Sequence, residues 1–288
     1  MIYRVFIQSK LFLSERSSMQ LHKNILVIGS VIALGMTSFS ALSLADEKGR
    51  ALAQAVYDRP DGDDNVTQFK MVLVREGSQP KERIFYTYAK EFPNNVVKSL
   101  VRFTVPVVVE NTGMLTVSQS DGTNDQWLYL PAFQSIRRIA GERKGGRFVS
   151  SDVYFEDLQD RKVNQDTHTY LGKEKYDGVL CDKLESIPTD PSNSSYTKKI
   201  TWVHPETLIP VRVDFYRGKD TPMKRQIVKR IDNVQGFWTV METKIEDLET
   251  GHETHLRAEK VKYDVGVPDS LFSQNVLQTP SKEIPYRP

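Results

Sequence analysis

The charged side chains that follow the apolar run WLYLP are the first candidates for a functional site. Two adjacent arginines, Arg137 and Arg138, stand at the end of DQWLYLPAFQSIRRI, and a glycine-bearing basic loop follows at residues 143–147. Three carboxylates then come within SSDVYFEDL, at Asp152, Glu156 and Asp157. Such a group is typical of an acid–base site, of an anion site for a phosphate or lipid headgroup, or of a structural ion pair.

The structural ion pair is the interpretation that strand geometry favours. Successive side chains of a strand point to opposite faces, so one of Arg137 and Arg138 must face the covered side of the sheet. A buried arginine needs a carboxylate partner, which we expect among the three acidic residues downstream. This pair would pin the following segment across the mouth of the fold. Contact of the basic loop with anionic lipid headgroups is the alternative.

The charge balance argues against nucleic acid as a partner. The chain has 39 Lys and Arg against 37 Asp and Glu, which gives a formal net charge of +2. A nucleic-acid binder concentrates an excess of positive charge on one face in order to contact phosphates. We therefore expect no nucleic acid as a ligand.

The remaining reactive side chains do not form a pattern typical of catalysis or metal binding. His252 and His255 are three residues apart, which places them on opposite faces of a strand. Cys181 is the single cysteine and falls in a strand pattern, where a small buried side chain is its usual role. The sequence has no nucleophile elbow, P-loop or dinucleotide-binding fingerprint. We expect no enzyme activity, no metal and no cofactor.

The N-terminal part of the chain has the pattern of a secretory signal peptide. Met19 is the expected functional start, Lys23 supplies positive charge, and an apolar run leads to a small-x-small cleavage site that ends at Ala45. We expect residues 1–45 to be an upstream segment plus a cleaved signal peptide, and residues 46–288 to be one exported domain. An uncleaved membrane anchor is the alternative, since the apolar run is long enough to span a bilayer. No cysteine stands at the cleavage site, which excludes acylation there.

Most of the exported domain alternates apolar and polar residues with a period of two. VTQFKMVLVRE, ERIFYTYAKE and VVKSLVRFTVP show the pattern, and turn signals such as Asn94-Asn95 and Asp177-Gly178 separate such segments at hairpin spacing. This predicts about eleven antiparallel strands in a single domain. A sheet this wide curls, so a barrel, a half-barrel or a sandwich is expected.

Two helical candidates are available to cover the concave side of such a sheet. Residues 47–57 form the first, and residues 152–158 form the second, with Ser151 or Asp152 as the N-cap. The second helix would act as a lid, and its apolar side chains would be Tyr154, Phe155 and Leu158.

The apolar face of the strands would line a cavity if the helices leave it unfilled. A void of this kind suits an acyl chain, since burial of each methylene contributes about 0.8 kcal/mol. The predicted wall residues are Phe69, Met71, Leu73, Tyr86, Tyr88, Val101, Phe103, Leu128, Leu130, Trp202, Val213 and Phe215.

The motif DQWLYLPAFQSIRRI, the basic loop and SSDVYFEDL together resemble the hallmark of a bacterial family described as outer membrane lipoprotein-sorting proteins, which are LolA-like. The resemblance continues through YDGVLCDKLE, TWVHPETLIPVRVDFY and DVGVPDSLFSQNVL and covers about residues 53–277. Two positions depart from the family pattern. Ser150 stands where glycine is common, and Val153 stands where phenylalanine is usual.

The resemblance implies a fold, a cargo and a location. The fold is mainly β: an unclosed antiparallel barrel of about eleven strands with helices covering its concave side, as in LolA and LolB. Its hydrophobic cavity would bind a lipid or the acyl chains of a lipoprotein in the periplasm. Proteins of this family are often encoded beside transporters of the RND/MMPL type, so an inner-membrane transporter of this type is the implied partner. The resemblance implies no catalytic residues.

Two hypotheses of function follow. The first is a non-enzymatic periplasmic lipid-binding carrier for lipid transport between the inner and outer membrane, with transient membrane contact. The second is an accessory protein that docks on an RND-type transporter through residues 143–147 and fills its cavity with its own side chains.

Overall fold

The structure, a computed structural model, describes residues 37–288, with side chains from Asp46 onwards. The predicted signal peptide and the segment before it lie mostly outside the described residues. Helix α1 spans Thr37–Tyr57 and contains the predicted helix over residues 47–57, which is confirmed. In the part of the chain that the structure describes, no helix has the length and apolar character needed to cross a bilayer.

Thirteen β-strands form the body of the molecule, against about eleven predicted. Strands β4 and β6 have only six and four residues, too few for a period of two to be recognised with ease. The strands are β1 (Asp64–Val74), β2 (Lys81–Phe92), β3 (Val96–Val105), β4 (Gly113–Ser118), β5 (Asn124–Leu130), β6 (Ser135–Arg138), β7 (Asp166–Tyr176), β8 (Val179–Pro188), β9 (Lys198–Val203), β10 (Pro210–Tyr216), β11 (Lys224–Val234), β12 (Phe237–Asp247) and β13 (Glu253–Tyr263).

The strands form one antiparallel sheet in the order β6-β5-β4-β3-β2-β1-β13-β12-β11-β10-β9-β8-β7. The first and last strands pair with each other in the middle of this sheet, where Met71 lies opposite Leu256. Strands β6 and β7 are its two edges, and within residues 37–288 nothing pairs them with each other. The predicted single unclosed antiparallel barrel is confirmed.

The connection from β6 to β7, residues 139–165, runs from one edge of the sheet to the other and packs on its inner face; it is here named the crossing segment. The strand register places Phe69, Phe85 and Phe103 side by side on this face. Phe148 of the crossing segment packs on Phe103, with 5.6 Å between the ring centroids. The crossing segment therefore supplies the cover that an open barrel needs.

Helix α1 covers the inner face near β7. A Cβ atom at Gly49 would lie 2.5 Å from the carbonyl oxygen of His168, so the helix approaches the strand as closely as only glycine permits. The Lys48 Nζ atom lies 3.6 Å from the centroid of the Tyr170 ring on the same strand. The position of α1 on the sheet is thus set by backbone contact.

The predicted lid helix over residues 152–158 was wrong, because this part of the chain contains a single 3₁₀ turn, Glu156–Leu158. The Asp157 carboxylate accepts a hydrogen bond from the backbone N–H of Tyr154 at 2.6 Å, and such local bonds compete with helix formation. The segment also lacks the polar, solvent-facing side of an amphipathic helix, since residues 152–158 are all buried. Irregular backbone, held by side chains, covers the sheet where a helix was expected.

Residues 264–288 cover the outer face of strands β1–β5 and include helix α2 (Gln274–Leu277). Arg102 and Glu283 are both fully buried there, and their charged groups lie 2.6 Å apart. The Arg102 guanidinium also donates to the carbonyl oxygen of Leu277 at 2.9 Å. This half of the sheet is therefore buried on both faces.

Candidate lipid-binding site

Most of the predicted wall residues belong to the core of the inner face. That core includes Phe69, Met71, Leu73, Val101, Phe103, Val213 and Phe215, with Leu128 partly buried beside it. Leu130, at the end of β5, is half-buried. Their neighbours decide whether they face a void.

The centre of the inner face is filled by the chain itself. Phe148 and Phe155 of the crossing segment pack edge to face, with 5.9 Å between the ring centroids. Tyr154 stacks on Tyr196 at 6.1 Å. The predicted wall therefore surrounds side chains of the crossing segment, and the sequence did not indicate this because the lid was expected to lie across the mouth.

Three predicted wall residues lie on the outer face, so their assignment was wrong. Tyr86 is opposite Arg102 in the register, and Tyr88 belongs to the outer cluster beneath the C-terminal segment. Trp202 packs with Cys181 in a small separate cluster. Strands such as β2 are apolar on both faces, because both faces are covered, and alternation alone does not tell which face is inner.

A fully buried lysine ties the crossing segment to β11. The Lys224 Nζ atom lies 2.5 Å from the Asp157 carboxylate and also donates to the hydroxyl of Tyr196. It lies 4.1 Å from the centroid of the Tyr154 ring. Burial lowers the pKa of Lys224, and Asp157 opposes this effect. This pair could not be predicted from the sequence, since nothing in the sequence distinguishes Lys224 from a solvated strand lysine.

A second group of polar side chains ties the crossing segment to β12 and β13. Asp152 accepts hydrogen bonds from Thr254 Oγ1 at 2.7 Å and from His252 Nδ1 at 2.5 Å. Arg147 forms ion pairs with both Asp152 and Asp247. The buried charges of this segment are thus paired across the interior, as buried carboxylates require.

Glu156 is also buried, and it is held by hydrogen bonds from the loop before β9. The backbone N–H of Ser195 and the hydroxyl of Ser194 each donate to its carboxylate at 2.5 Å. All three predicted carboxylates are therefore occupied by structural partners.

The predicted tie from Arg137 or Arg138 to these carboxylates was wrong. Arg138 pairs with Asp125 on the neighbouring strand, and its side chain is 70% exposed. Arg137 is exposed and lies over the ring of Phe133, with 5.4 Å from its guanidinium carbon to the ring centroid. Strand β6 is an edge strand, so both of its arginines reach solvent, and Arg147 takes the expected role.

An apolar pocket remains beneath α1, away from the predicted wall. It encloses about 740 Å³ of space, a figure that includes space open to solvent. Its apolar lining comes from Ala53, Val56 and Tyr57 of α1 and from Leu184, Ile209, Pro210 and Val240. None of the twelve predicted wall residues lines it.

Charged side chains line one side of this pocket. Asp166, at the start of β7, accepts hydrogen bonds from Arg161 at 2.7 and 2.9 Å, and Lys199 lies 3.4 Å from the same carboxylate. Burial opposes ionisation of Asp166, yet Lys199 and Arg161 hold its pKa at about 2. Burial lowers the pKa of His168, whose Nε2 atom lies 2.9 Å from the carbonyl oxygen of Val163.

The described side chains hold no arrangement suited to a metal or a reactive thiol. No group of three or more His, Cys, Asp or Glu is placed to hold a metal ion within this part of the chain. Cys181 is buried, and burial raises the pKa of its thiol. His255 pairs with Glu253, whereas His252 pairs with Asp152.

Comparisons with known proteins agree with this fold. A family model described as an uncharacterized protein family matches residues 95–279. Comparison with curated proteins gives no match. A LolA superfamily protein from Nitrosomonas europaea, 18% identical over 82% of this chain and 98% of its own, has the same fold with a TM-score of 0.60.

Two solved structures are more similar in sequence. A DUF1329 family protein from Desulfovibrio piger is 31% identical over 81% of this chain and 99% of its own, with a TM-score of 0.77. A protein from Vibrio parahaemolyticus described as an outer membrane lipoprotein-sorting protein domain is 30% identical over the same shares, also with a TM-score of 0.77. The chain therefore belongs to the family of this DUF1329 protein and this lipoprotein-sorting domain, and its fold is LolA-like.

Proposed function

We propose that this protein is a non-enzymatic periplasmic carrier that binds a lipid or lipoprotein acyl chains and moves them between the inner and outer membrane. The observation that supports this most directly is the apolar pocket beneath α1. The description of the Vibrio parahaemolyticus relative as a lipoprotein-sorting domain supports the class of cargo. The exported domain, residues 46–288, would be the carrier.

The pocket beneath α1 is the proposed site for the acyl chain, in place of the filled centre of the inner face. Each methylene that leaves water contributes about 0.8 kcal/mol, so ten methylenes contribute roughly 8 kcal/mol before the chain and the protein are ordered. Apolar contact would thus supply a large part of the free energy that binds an acyl chain.

Location and partner are part of the same proposal. The signal-peptide pattern that ends at Ala45 supports export to the periplasm. An inner-membrane RND/MMPL-type transporter would deliver or receive the cargo, with transient contact at the membrane surface. No cofactor takes part in binding and release.

The test is lipid capture by a variant in which the pocket is filled. Ala53 is buried and lines the pocket, whereas Ala51 is exposed on the same helix. We expect organic extracts of the purified protein to contain lipid by mass spectrometry, and the protein to take up a fluorescent fatty acid. Ala53→Phe should lose both properties, and the matched control Ala51→Phe should keep them. A clean extract together with no uptake by the unmodified protein would contradict the proposal.

One observation favours a second function, that of an accessory protein on a transporter. The centre of the inner face is filled by the protein's own residues, as a self-filled cavity requires. Docking would use Arg143 and Lys144 of the basic loop, because Arg147 is occupied by Asp152 and Asp247. In the double variant Arg143→Glu, Lys144→Glu, lost transporter association with intact lipid uptake would support docking.

A further inference from the structure

The charged side of the pocket beneath α1 contains more positive than negative charge. Asp166 is the one carboxylate among the residues that line the pocket. The basic residues that line it are Arg59, Arg161, Lys162 and Lys199. A ligand that is only a hydrocarbon chain would make no favourable interaction with these charges. The partners of each basic group show which of them is available to a ligand.

Three of the four basic groups are occupied. Arg161 donates twice to Asp166 and also to the backbone oxygen of Gln165 at 2.8 Å. Lys162 forms an ion pair with Asp160 and donates to the hydroxyl of Tyr57 at 3.0 Å. Arg59 donates to the backbone oxygen of Trp238 at 2.5 Å.

Lys199 is the group whose pairing is incomplete. Its side chain is 6% exposed, and its ammonium lies 3.4 Å from the Asp166 carboxylate. This distance is longer than the roughly 2.7–3.2 Å of an ordinary N–H···O hydrogen bond. Asp166 is the one polar partner that the described residues provide, and that carboxylate already serves Arg161. An ammonium has three donors, and a buried positive charge without full compensation is unfavourable.

The balance of charge around Asp166 therefore leaves one positive charge uncompensated. Arg161 and Lys199 share a single carboxylate, and the nearby ring of His168 bonds to neutral partners, Ser186 Oγ and the Val163 carbonyl oxygen, at 2.9 Å each. An anionic group placed beside Lys199 would complete the pairing while its chain extends along the apolar lining.

We infer that the pocket takes an amphiphile with an apolar chain and a single anionic head, a carboxylate or a phosphate, bound at Lys199. This inference rests on the proposed function, because it names the class of lipid for the same pocket. A charge-assisted bond to a buried ammonium strengthens with desolvation, so the head contributes selectivity beyond the apolar contact.

The experiment compares three ligands of equal chain length: hexadecanoate, hexadecyl phosphate and hexadecan-1-ol. Each competes with an uncharged apolar dye for the unmodified protein. We expect at least one of the two anions to bind tenfold or more tightly than the alcohol. Preference for hexadecanoate identifies a carboxylate head, and preference for hexadecyl phosphate identifies a phosphate head.

Two lysine variants locate the preference. Lys199→Met keeps the aliphatic stem and should abolish the preference for the anion, whereas Lys199→Arg should retain most of it. Lys198→Met is the matched control, because Lys198 is the adjacent residue on the opposite face and pairs loosely with Glu185 at 3.7 Å. It should leave the preference unchanged.

Two results would overturn the inference, and they differ in what else they overturn. Equal binding of the alcohol and both anions to the unmodified protein would remove the anionic head and leave the carrier proposal standing. Absence of binding for all three ligands would remove both. Because the ligand comparison uses the unmodified protein, it decides the question even if Lys199→Met does not fold.

Discussion

At the scale of single residues, the buried pair of Lys224 and Asp157 is expected to dominate the stability of the inner core. Removal of one partner of a buried ion pair leaves a charge without compensation, which costs about 3–5 kcal/mol. We therefore expect Asp157→Ala to lower the free energy of unfolding by that amount in urea denaturation. Arg138→Ala is the control, because its ion pair with Asp125 is at the surface and contributes less than about 1 kcal/mol.

A double variant separates lost charge pairing from lost packing at this site. In Asp157→Leu, Lys224→Met, both charges are gone and apolar volume remains, so stability should recover to well above that of Asp157→Ala. Equal destabilisation by Asp157→Ala and Arg138→Ala would contradict the assignment of the tie to Lys224.

The charge cluster at Asp166 makes a prediction about acid stability. Its folded pKa is about 2, below the ordinary value of 3.8, so its ionised form stabilises the fold at pH values above 3.8. This contribution, about 2 kcal/mol, is lost as the pH falls from roughly 4 to 2.

We expect Asp166→Asn to be less stable than the unmodified protein at pH 7 and the difference to shrink as the pH approaches 2. Urea denaturation at several pH values measures this. Asp220→Asn, in an exposed turn, removes the same charge and should behave like the unmodified protein. A constant difference across the pH range would show that Asp166 does not act through its charge.

The types of the tying residues were predictable from the sequence, whereas their pairing was not. Basic and acidic groups around residues 137–158 do meet as ion pairs, but Arg147 serves Asp152, and Lys224 comes from a strand far along the chain. An arginine on an edge strand and one in a covered loop look alike in sequence. Only the register, which makes β6 an edge, separates Arg138 from Arg147.

At the scale of elements, the crossing segment is expected to be a fixed part of the core. Phe148 is 2% exposed and contacts Phe103 and Phe155. Phe148→Ala should lower the free energy of unfolding by about 3–5 kcal/mol, since a buried phenylalanine leaves a cavity. Phe133→Ala is the control, because Phe133 is 66% exposed and its loss should change stability by no more than about 0.5 kcal/mol.

Lipid uptake by the folded Phe148→Ala protein should equal that of the unmodified protein, because Phe148 does not line the pocket beneath α1. Fluorescent fatty-acid titration measures this. A large gain in uptake would mean that the centre of the inner face, once emptied, is the binding site, which would contradict the position proposed for the site.

The elements themselves differ in how far their sequence determined them. Period-two alternation identifies strands because each has an apolar face, and the helix over residues 47–57 follows from its own pattern. Residues 152–158 also have helical spacing of their apolar residues. The Asp157 carboxylate accepts a hydrogen bond from the backbone N–H of Tyr154, and this local bond competes with helix formation. A tertiary tie to Lys224 then fixes that turn, and tertiary contacts are not visible in a local pattern.

At the scale of the whole molecule, the open barrel is covered on its inner face by two pieces that are held in different ways. The ion pairs Lys224–Asp157 and Arg147–Asp247, together with the hydrogen bond from Thr254 to Asp152, anchor the crossing segment to β11, β12 and β13. Helix α1 rests on β7 through the close approach at Gly49. We therefore expect α1 to be the cover whose position controls the pocket.

Gly49→Ala tests this arrangement, because the added methyl group would lie 2.5–2.8 Å from backbone atoms of His168 and Tyr170 and must push α1 away from β7. Such overpacking costs about 1–3 kcal/mol. We expect weaker binding of hexadecanoate together with faster amide hydrogen exchange in residues 46–57, while exchange in residues 147–158 stays unchanged.

Gly141→Ala is the control, since a methyl group there meets no neighbouring atom. If Gly49→Ala bound hexadecanoate as tightly as the unmodified protein, binding would not depend on the position of α1 on β7. The acyl-chain site would then have to lie elsewhere on the sheet.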